Sequence, residues 1–238
     1  MSGHSKWARI KHKKALTDAK KSKVFSKIAA VITVASREGG GDPNANAKLR
    51  MTIEKAKEVN MPNENIERAI KRGTGELEGA KLEELTYEAL GPHNSALLIK
   101  VITDNKNRTA AELKKILLEF DGKLGEKGTA AWLFEEKGVV RIKKGTLQEN
   151  QTLDLIELGV EDFKDDGEQT LLISGVNNLE KIKDYLQKNH IELEGAEPEF
   201  IAKNYIEIAE KDRVEFEKLF EALDEQNEVE EIYSNIKF

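Results

Sequence analysis

The chain has 238 residues, of which 34% are charged and 39% hydrophobic, and its formal net charge is −6. This size and composition fit two or three small domains and exclude a wholly disordered, collagenous or low-complexity chain. The absence of cysteine excludes disulfide scaffolds, zinc ribbons and thiol catalysis, and the absence of a long apolar run predicts a cytoplasmic protein with no membrane partner.

The first 27 residues are the most basic part of the chain, with nine Lys and Arg residues against one acid, Asp18. Residues 1–75 hold 17 basic and 7 acidic residues, a net charge of +10, whereas the remainder holds 21 and 37, a net charge of −16. A cationic segment with an interleaved aromatic ring suits a nucleic-acid backbone, although most charge runs are solvated tails. The candidate contacts are Lys6, Trp7, Arg9, Lys11, His12, Lys13, Lys14, Lys20, Lys21, Lys23 and Lys27.

Residues 18–75 are predicted to form a small bundle of three helices. One apolar stripe runs along the first helix, and Gly39-Gly40-Gly41 ends it. Asp42-Pro43 predicts the start of the second helix, Met61-Pro62 the start of the third, and Gly73 a left-handed cap at its end. The glycine run lacks the following Gly-Lys-Ser/Thr of a P-loop, so a helix-to-helix turn is the better interpretation. The cations that end the third helix either extend the anion-binding surface or stabilise the helix dipole: Arg68, Lys71 and Arg72.

The rest of the chain alternates strands and helices in two β-α-β-β-α-β units of the ferredoxin-like type. One unit is split: strands at 96–103 and 130–135 enclose a helix, and strands at 204–208 and near the C-terminus enclose another. The segment LTYEAL is expected to add a strand that widens this sheet. The predicted fold class is α+β, with a helical domain (1–78), a discontinuous α/β domain (79–136 and 204–238) and an α/β domain inserted into it (137–203).

A polar loop after the strand at 96–103 is a possible partner-binding segment, because loops between a strand and a helix often carry function. Turn chemistry explains Asp104 and Asn105, and a helix cap explains Asn107 or Thr109. Lys106 and Arg108 are left without a structural task. The candidate loop residues are Asn105, Lys106, Asn107 and Arg108.

No arrangement of side chains predicts catalysis. The acids are abundant, but none lies at a telling spacing from a serine, a histidine or a metal-ligand partner, and HExxH, GxSxG and EF-hand patterns are absent. We therefore expect no enzyme activity, no cofactor, no metal and no small-molecule substrate.

Five motifs in order resemble the YebC/PmpR family, which includes the mitochondrial translational activator of cytochrome oxidase. They are MSGHSKWARIKHKKA, GGGDPNANAKLR, NMPNENIERAIKRGTG, TDNKNRTAAEL and IYSNI, and they span essentially the whole chain. The turn at residues 91–94 departs from the family's Gly-Pro-Gly-Gly, because His93 and Asn94 replace its last two glycines. The resemblance implies a helical N-terminal domain and two α/β domains, one inserted in the other.

The resemblance also implies a function, since some members are DNA-binding transcriptional regulators and others act in translation at stalled ribosomes, for example at consecutive prolines. Together these observations predict a non-enzymatic nucleic-acid-binding regulator that holds the phosphate backbone through its basic N-terminal domain. A ribosome-associated translation factor that contacts ribosomal RNA or tRNA is the alternative. Lysines on such a tract bind backbone charge and not base identity, so the choice between DNA and ribosomal RNA stays open.

Overall fold

The first three elements of the described chain are helices, and they form a bundle. The computed structural model describes residues 18–237, with side chains from residue 21 onward. The helices are α1 (Asp18–Gly39), α2 (Ala47–Glu58) and α3 (Asn63–Thr74). The apolar stripe predicted for the first helix packs in this core, which also contains Leu49, Ala56, Ile66 and Ala69.

The α/β part that follows contains the remaining elements. In chain order they are β1 (Glu83–Leu90), β2 (Ala96–Thr103), α4 (Lys106–Glu119), β3 (Lys123–Leu124), β4 (Phe134–Lys143), α5 (Glu149–Glu157), β5 (Val160–Asp166), β6 (Gln169–Ser174), α6 (Leu179–Lys188), β7 (Leu193–Ala202), β8 (Ile206–Glu207), α7 (Arg213–Asp224), β9 (Val229–Ser234) and β10 (Ile236–Lys237).

The second helix begins later than the sequence predicted. Its N-cap is Asn46, whose Oδ1 accepts a hydrogen bond from the backbone N–H of Leu49 at 3.0 Å. The Nδ2 of the same side chain donates to the carbonyls of Ala35 and Gly40, each at 2.8 Å. Asp42 instead accepts from the backbone N–H of Asn44 at 2.9 Å, so Asp42-Pro43 forms a tight turn and not a helix start. The buried asparagine therefore fixes both the end of α1 and the start of α2.

The left-handed cap of α3 is Gly75, with φ of 83°, and not Gly73 as predicted. Gly73 lies inside the helix, where an added Cβ atom would stand 2.4 Å from the carbonyl oxygen of Thr33 and 2.6 Å from the Cβ of Ser36. Glycine is needed at this position because the backbones of α1 and α3 lie too close together for a side chain to fit between them.

The inserted unit has the predicted β-α-β-β-α-β order. Its sheet runs β5–β6–β4–β7, and every neighbouring pair is antiparallel. Helices α5 and α6 pack on one face of this sheet, over a core that includes Val140, Ile142, Leu155, Leu172 and Ile182.

The other four-stranded sheet, in the order β3–β1–β2–β9, differs from the predicted one. The LTYEAL strand joins this sheet as expected: β1 pairs with β2 along its whole length, from Glu83 opposite Thr103 to Leu90 opposite Ala96, and lies between β3 and β2. The strand predicted at 204–208 is reduced to β8, which pairs in parallel with β10 in a separate two-stranded sheet. Helices α4 and α7 cover one face of the four-stranded sheet, as expected.

The prediction of a strand at 130–135 is also wrong, because the strand begins only at Phe134. Ala131–Leu133 forms a 3-10 turn, and Phe134 begins β4, where it pairs with Ala202 in the inserted sheet. The carboxylate of Glu88 accepts hydrogen bonds from the backbone N–H groups of Ala130 and Ala131 at 2.7 Å. Because these N–H groups are already bonded, this segment cannot pair as a strand.

Candidate nucleic-acid interface

Most of the basic tract lies outside the residues that the structure describes. Lys6, Trp7, Arg9, Lys11, His12, Lys13 and Lys14 precede residue 18, and the side chain of Lys20 precedes residue 21. The tract leads directly into α1, whose first described side chains include those of Lys21 and Lys23.

Two lysines of α1 contact the end of α7 in the α/β part. The Nζ of Lys27 lies 2.7 Å from the carbonyl oxygen of Asp224 and 3.1 Å from its carboxylate, and the Lys27 residue is 7% exposed. The Nζ of Lys23 donates to the carbonyl of Glu225. Lys27 is therefore bound to α7 in this conformation, and its contact with a phosphate stays a prediction.

The cations of α3 lie in a different environment. Arg68, Lys71 and Arg72 are exposed, and none of them forms an ion pair with a carboxylate of residues 21–237. Backbone groups beyond the helix already bond to its last carbonyls, because the N–H groups of Glu76 and Leu77 donate to the carbonyl of Lys71 at 2.9 and 3.1 Å. Favourable interaction with the helix dipole remains a second explanation for these charges.

Arg68 and Arg72 border a groove between α1 and α3. Phe25, Ala29, Met61 and Ala69 form its apolar lining, and Ser22, Ser26 and Asn65 add polar groups. The groove encloses about 220 Å³ and lies along the first half of α1, the half nearest to the basic tract. The two arginines therefore lie beside the first half of α1.

The predicted partner loop is held by its own surroundings. The Oδ1 of Asn105 caps α4 by accepting from the backbone N–H of Arg108 at 3.1 Å, so the cap is not Asn107 or Thr109. The guanidinium of Arg108 lies 2.7 Å from Asp104 and 2.6 Å from Glu228.

Lys106 also has a structural partner, because its Nζ lies 2.6 Å from the Glu83 carboxylate. The hydrogen bond and charge of Glu83 raise the pKa of Lys106, and those of Glu228 and Asp104 raise the pKa of Arg108. The interpretation that Lys106 and Arg108 lack a structural task is therefore wrong. Asn107 is exposed at the start of α4.

Within residues 21–237 no group of histidine, aspartate and glutamate side chains could hold a metal ion. The helices of the described chain also include none that is long and apolar enough to cross a bilayer.

Two family models match the chain, and together they cover most of it. Residues 5–76 match the TACO1/YebC protein N-terminal domain, and residues 82–236 match the TACO1/YebC second and third domain. The chain belongs to the TACO1/YebC family. The resemblance of the five sequence motifs is thereby confirmed.

Relatives in this family resemble the chain over its full length. A protein of Thermoanaerobacter pseudethanolicus named "Probable transcriptional regulatory protein" is 44% identical over all of this chain and 97% of its own. A relative of the same name from Pseudothermotoga lettingae is 45% identical over all of this chain and 94% of its own. The crystal structure of a conserved hypothetical protein from Aquifex aeolicus superposes with a TM-score of 0.86 at 39% identity, covering 97% of this chain and 96% of that one.

The fold of this TACO1/YebC family member is mixed α and β, with an N-terminal helical region and two antiparallel four-stranded sheets, as predicted. The groove between α1 and α3 was missed in the sequence. Phe25 and Ala29 belong to the predicted apolar stripe, so the sequence places them in the core, although both are only partly buried. Asn65 carries no sequence signal at all, because an isolated asparagine near a helix start usually serves local structure.

Proposed function

We propose that this TACO1/YebC family member is a regulator of gene expression that binds nucleic acid without catalysing a reaction. Its basic N-terminal tract and the exposed cations of α3 would hold the phosphate backbone of DNA, in keeping with relatives named transcriptional regulatory proteins. The proposed division of labour follows the predicted domains: residues 1–78 bind the nucleic acid, and the acidic α/β domains at 79–136 with 204–238 and at 137–203 carry them.

One observation supports this proposal above the others. Several cations of the α/β part are neutralised by neighbouring carboxylates, as in Lys106 with Glu83 or Arg141 with Glu199. Arg68, Lys71 and Arg72 have no such neighbour among residues 21–237. Unneutralised cations attract a polyanion, and two of these three border the groove between α1 and α3.

The test is a triple variant, Arg68→Gln, Lys71→Gln and Arg72→Gln, measured for binding to a mixed-sequence DNA duplex at several salt concentrations. If all three cations contact phosphates, the slope of log affinity against log salt becomes less steep by about 2 to 3. The matched control, Lys114→Gln, Lys115→Gln and Lys123→Gln, removes the same charge from exposed positions of the α/β part. Equal affinity and equal slope in the two triple variants would reject the interface on α3.

A second candidate function is a ribosome-associated translation factor that relieves stalling by contact with ribosomal RNA or tRNA. The groove favours this alternative, because 220 Å³ is smaller than the roughly 300–1,000 Å³ of sites for drug-sized ligands and would suit a single unstacked base. RNA loops present such bases for stacking and hydrogen bonding, whereas a duplex does not. Phe25 offers a ring, and the Asn65 amide forms no hydrogen bond with another described side chain.

Sedimentation of a cell lysate through sucrose at low salt separates the two functions. A translation factor follows the ribosomal fraction, and a DNA-binding regulator does not. The variant Asn65→Ala adds a second criterion, since it should weaken binding to a single-stranded RNA more than binding to a DNA duplex if a base enters the groove.

A further inference from the structure

The C-terminal end of α7 contacts the same stretch of α1 into which the basic tract leads. Lys27 donates to the carbonyl of Asp224 and pairs with its carboxylate, and Lys23, one turn earlier, donates to the carbonyl of Glu225. We name this set the α7 clamp: Lys23, Lys27, Asp224 and Glu225. It joins two parts of the chain that are 197 residues apart.

The end of α7 attracts cations for two independent reasons. The last carbonyls of a helix carry a partial negative charge, and the last turn of α7 contains no basic residue of its own. Glu221, Asp224 and Glu225 add three carboxylates within five positions. Backbone carbonyls and carboxylates accept hydrogen bonds from a lysine ammonium group, as phosphate oxygens do.

The clamp acts only on the N-terminal part of α1. The far end of the helix is attached separately, because Arg37 donates to the carbonyl of Leu82, and Lys48 at the start of α2 lies 2.7 Å from Glu84. Opening the clamp would therefore separate Lys23 and Lys27 from α7 without detaching the whole helical bundle. These two cations would then add to the positive charge of the helical domain, on a different face of α1 from the groove.

We propose that the α7 clamp is an autoinhibitory contact, in which the end of α7 competes with nucleic acid for Lys23 and Lys27. This inference rests on the proposed nucleic-acid function and names a regulator of it within the same chain. In the closed state the interface has fewer cations available, and a nucleic acid binds with full affinity only after it displaces α7.

The first experiment compares two variants that each remove one negative charge from α7. Asp224→Asn weakens the clamp, whereas Glu215→Gln changes the first turn of the helix and leaves the clamp intact. Binding to a DNA duplex and to a single-stranded RNA of mixed sequence is measured at low salt. Asp224→Asn should bind about threefold to tenfold more tightly than Glu215→Gln. Equal affinities of the two variants would overturn the proposal.

The second experiment does not depend on the stability of Asp224→Asn. Since the chain contains no cysteine, Lys23→Cys with Glu225→Cys creates a unique pair at the edge of the clamp, which a short bis-maleimide can join. The same preparation is measured before and after cross-linking, with circular dichroism to confirm an unchanged fold. Cross-linking should weaken nucleic-acid binding several-fold, and unchanged affinity would contradict an inhibitory role.

The two proposals fail in different ways. If the wild-type chain and Asp224→Asn both bind no nucleic acid at any salt concentration, the proposed function is rejected and the autoinhibition with it. If the wild type binds and neither experiment changes its affinity, only the autoinhibition is rejected. Binding that is detected in Asp224→Asn alone would support both.

Discussion

Glu88 is a buried carboxylate that organises the segment between the two sheets. It is 8% exposed, and its oxygens accept three hydrogen bonds of 2.7 Å from the backbone N–H groups of Gly128, Ala130 and Ala131. Burial raises the pKa of Glu88, but the three backbone donors outweigh burial, and the net pKa is lowered. The ionised form is therefore the one that the fold stabilises.

We expect Glu88→Gln to lower the free energy of unfolding by roughly 2–3 kcal/mol. The glutamine amide keeps one acceptor oxygen, but its NH₂ group cannot accept a hydrogen bond. At least one of the three backbone N–H donors therefore loses its partner. Urea unfolding followed by circular dichroism gives the difference. Glu126→Gln, at an exposed position of the same segment, is the control and should change stability by less than about 0.5 kcal/mol. A loss in Glu88→Gln no larger than in this control would show that the three hydrogen bonds contribute little.

The stabilisation by Glu88 should depend on pH in a known direction. Because the pKa of Glu88 is lower in the folded state than in the unfolded state, its contribution is complete above the unfolded value of about 4.3 and is lost as the pH falls through the folded value. The stability difference between wild type and Glu88→Gln should therefore be largest near neutral pH and shrink in acid. A difference that stays constant down to about pH 3 would contradict this assignment of the ionised form.

At the scale of elements, the crossing of α1 and α3 depends on Gly73. In an exposed helix, replacing glycine by alanine stabilises by about 1 kcal/mol. Here the added methyl group would meet the backbone of α1 at Thr33, which cannot rotate away as a side chain could. We expect Gly73→Ala to destabilise by about 1–3 kcal/mol in thermal unfolding. Glu67→Ala, at an exposed position of the same helix, should have little effect, and a gain in stability for Gly73→Ala would show that the helices can move apart freely.

Helices α2, α4 and α6 end in the same way, with a residue other than glycine in the left-handed conformation. These residues are Asn60, Asp121 and His190, with φ of 59°, 53° and 57°. In each case the next N–H bonds to a carbonyl five residues earlier, for example Ile191 to Leu186 at 2.9 Å. This is the Schellman arrangement, in which glycine is the favoured residue.

The exposed His190 offers the clearest test of this strain. His190→Gly should raise stability by about 0.5–1 kcal/mol, because the relief of left-handed strain exceeds the added entropy of the unfolded chain. Asn189→Gly, one residue earlier at a φ of −91°, should destabilise, since that position needs no glycine and its side chain donates to the carbonyl of Tyr185. Thermal unfolding of both variants decides, and a loss of stability in His190→Gly would mean that the histidine makes a contact worth more than the strain.

The sequence predicted elements well where burial alone determines them. The apolar run at Ala96–Thr103 forms β2 at the predicted bounds, and the inserted unit has the predicted order, because apolar spacing along the chain directly reflects which face is buried. The strand predicted at 130–133 does not form, because backbone N–H groups of this segment donate to Glu88, which lies 42 residues before Ala130. No local pattern in the sequence contains that contact.

The candidate nucleic-acid interface was likewise predictable from the sequence only in part. The excess of cations in residues 1–75 was visible from composition, but the availability of each cation was not. Lys27 is covered by Asp224, 197 residues away, and Arg108 is paired with Glu228, 120 residues away. Composition therefore predicts that the helical domain is cationic, whereas only the tertiary structure distinguishes its open cations from its neutralised ones.

At the scale of the whole molecule, Lys55 joins all three parts of the structure. Its Nζ extends from α2 and lies 3.6 Å from Glu197 on β7 and 3.7 Å from Glu231 on β9. The charge of Glu197 raises the pKa of Lys55, burial opposes this, and Glu231 raises it further. The ammonium ion is thus the stable form at neutral pH, and its contribution is lost only as the pH rises through this raised pKa.

Removal of Lys55 should loosen the helical bundle from both sheets without unfolding any of them. In Lys55→Met the carboxylates of Glu197 and Glu231 would face each other near the buried ion pair of Arg141 and Glu199, which are 2.5 Å apart, with no cation of α2 between them. Because a protein of several modules need not unfold in one step, hydrogen–deuterium exchange by segment is a better measurement than a single melting temperature. We expect faster exchange in α2, β7 and β9, and easier proteolysis between α3 and β1, with unchanged protection of β5 and β6.

Lys57→Met removes an equal charge from an exposed position of the same helix and is the control. If the two variants exchange at the same rate, Lys55 does not hold the modules together, and their arrangement depends on the apolar contacts and the remaining ion pairs alone.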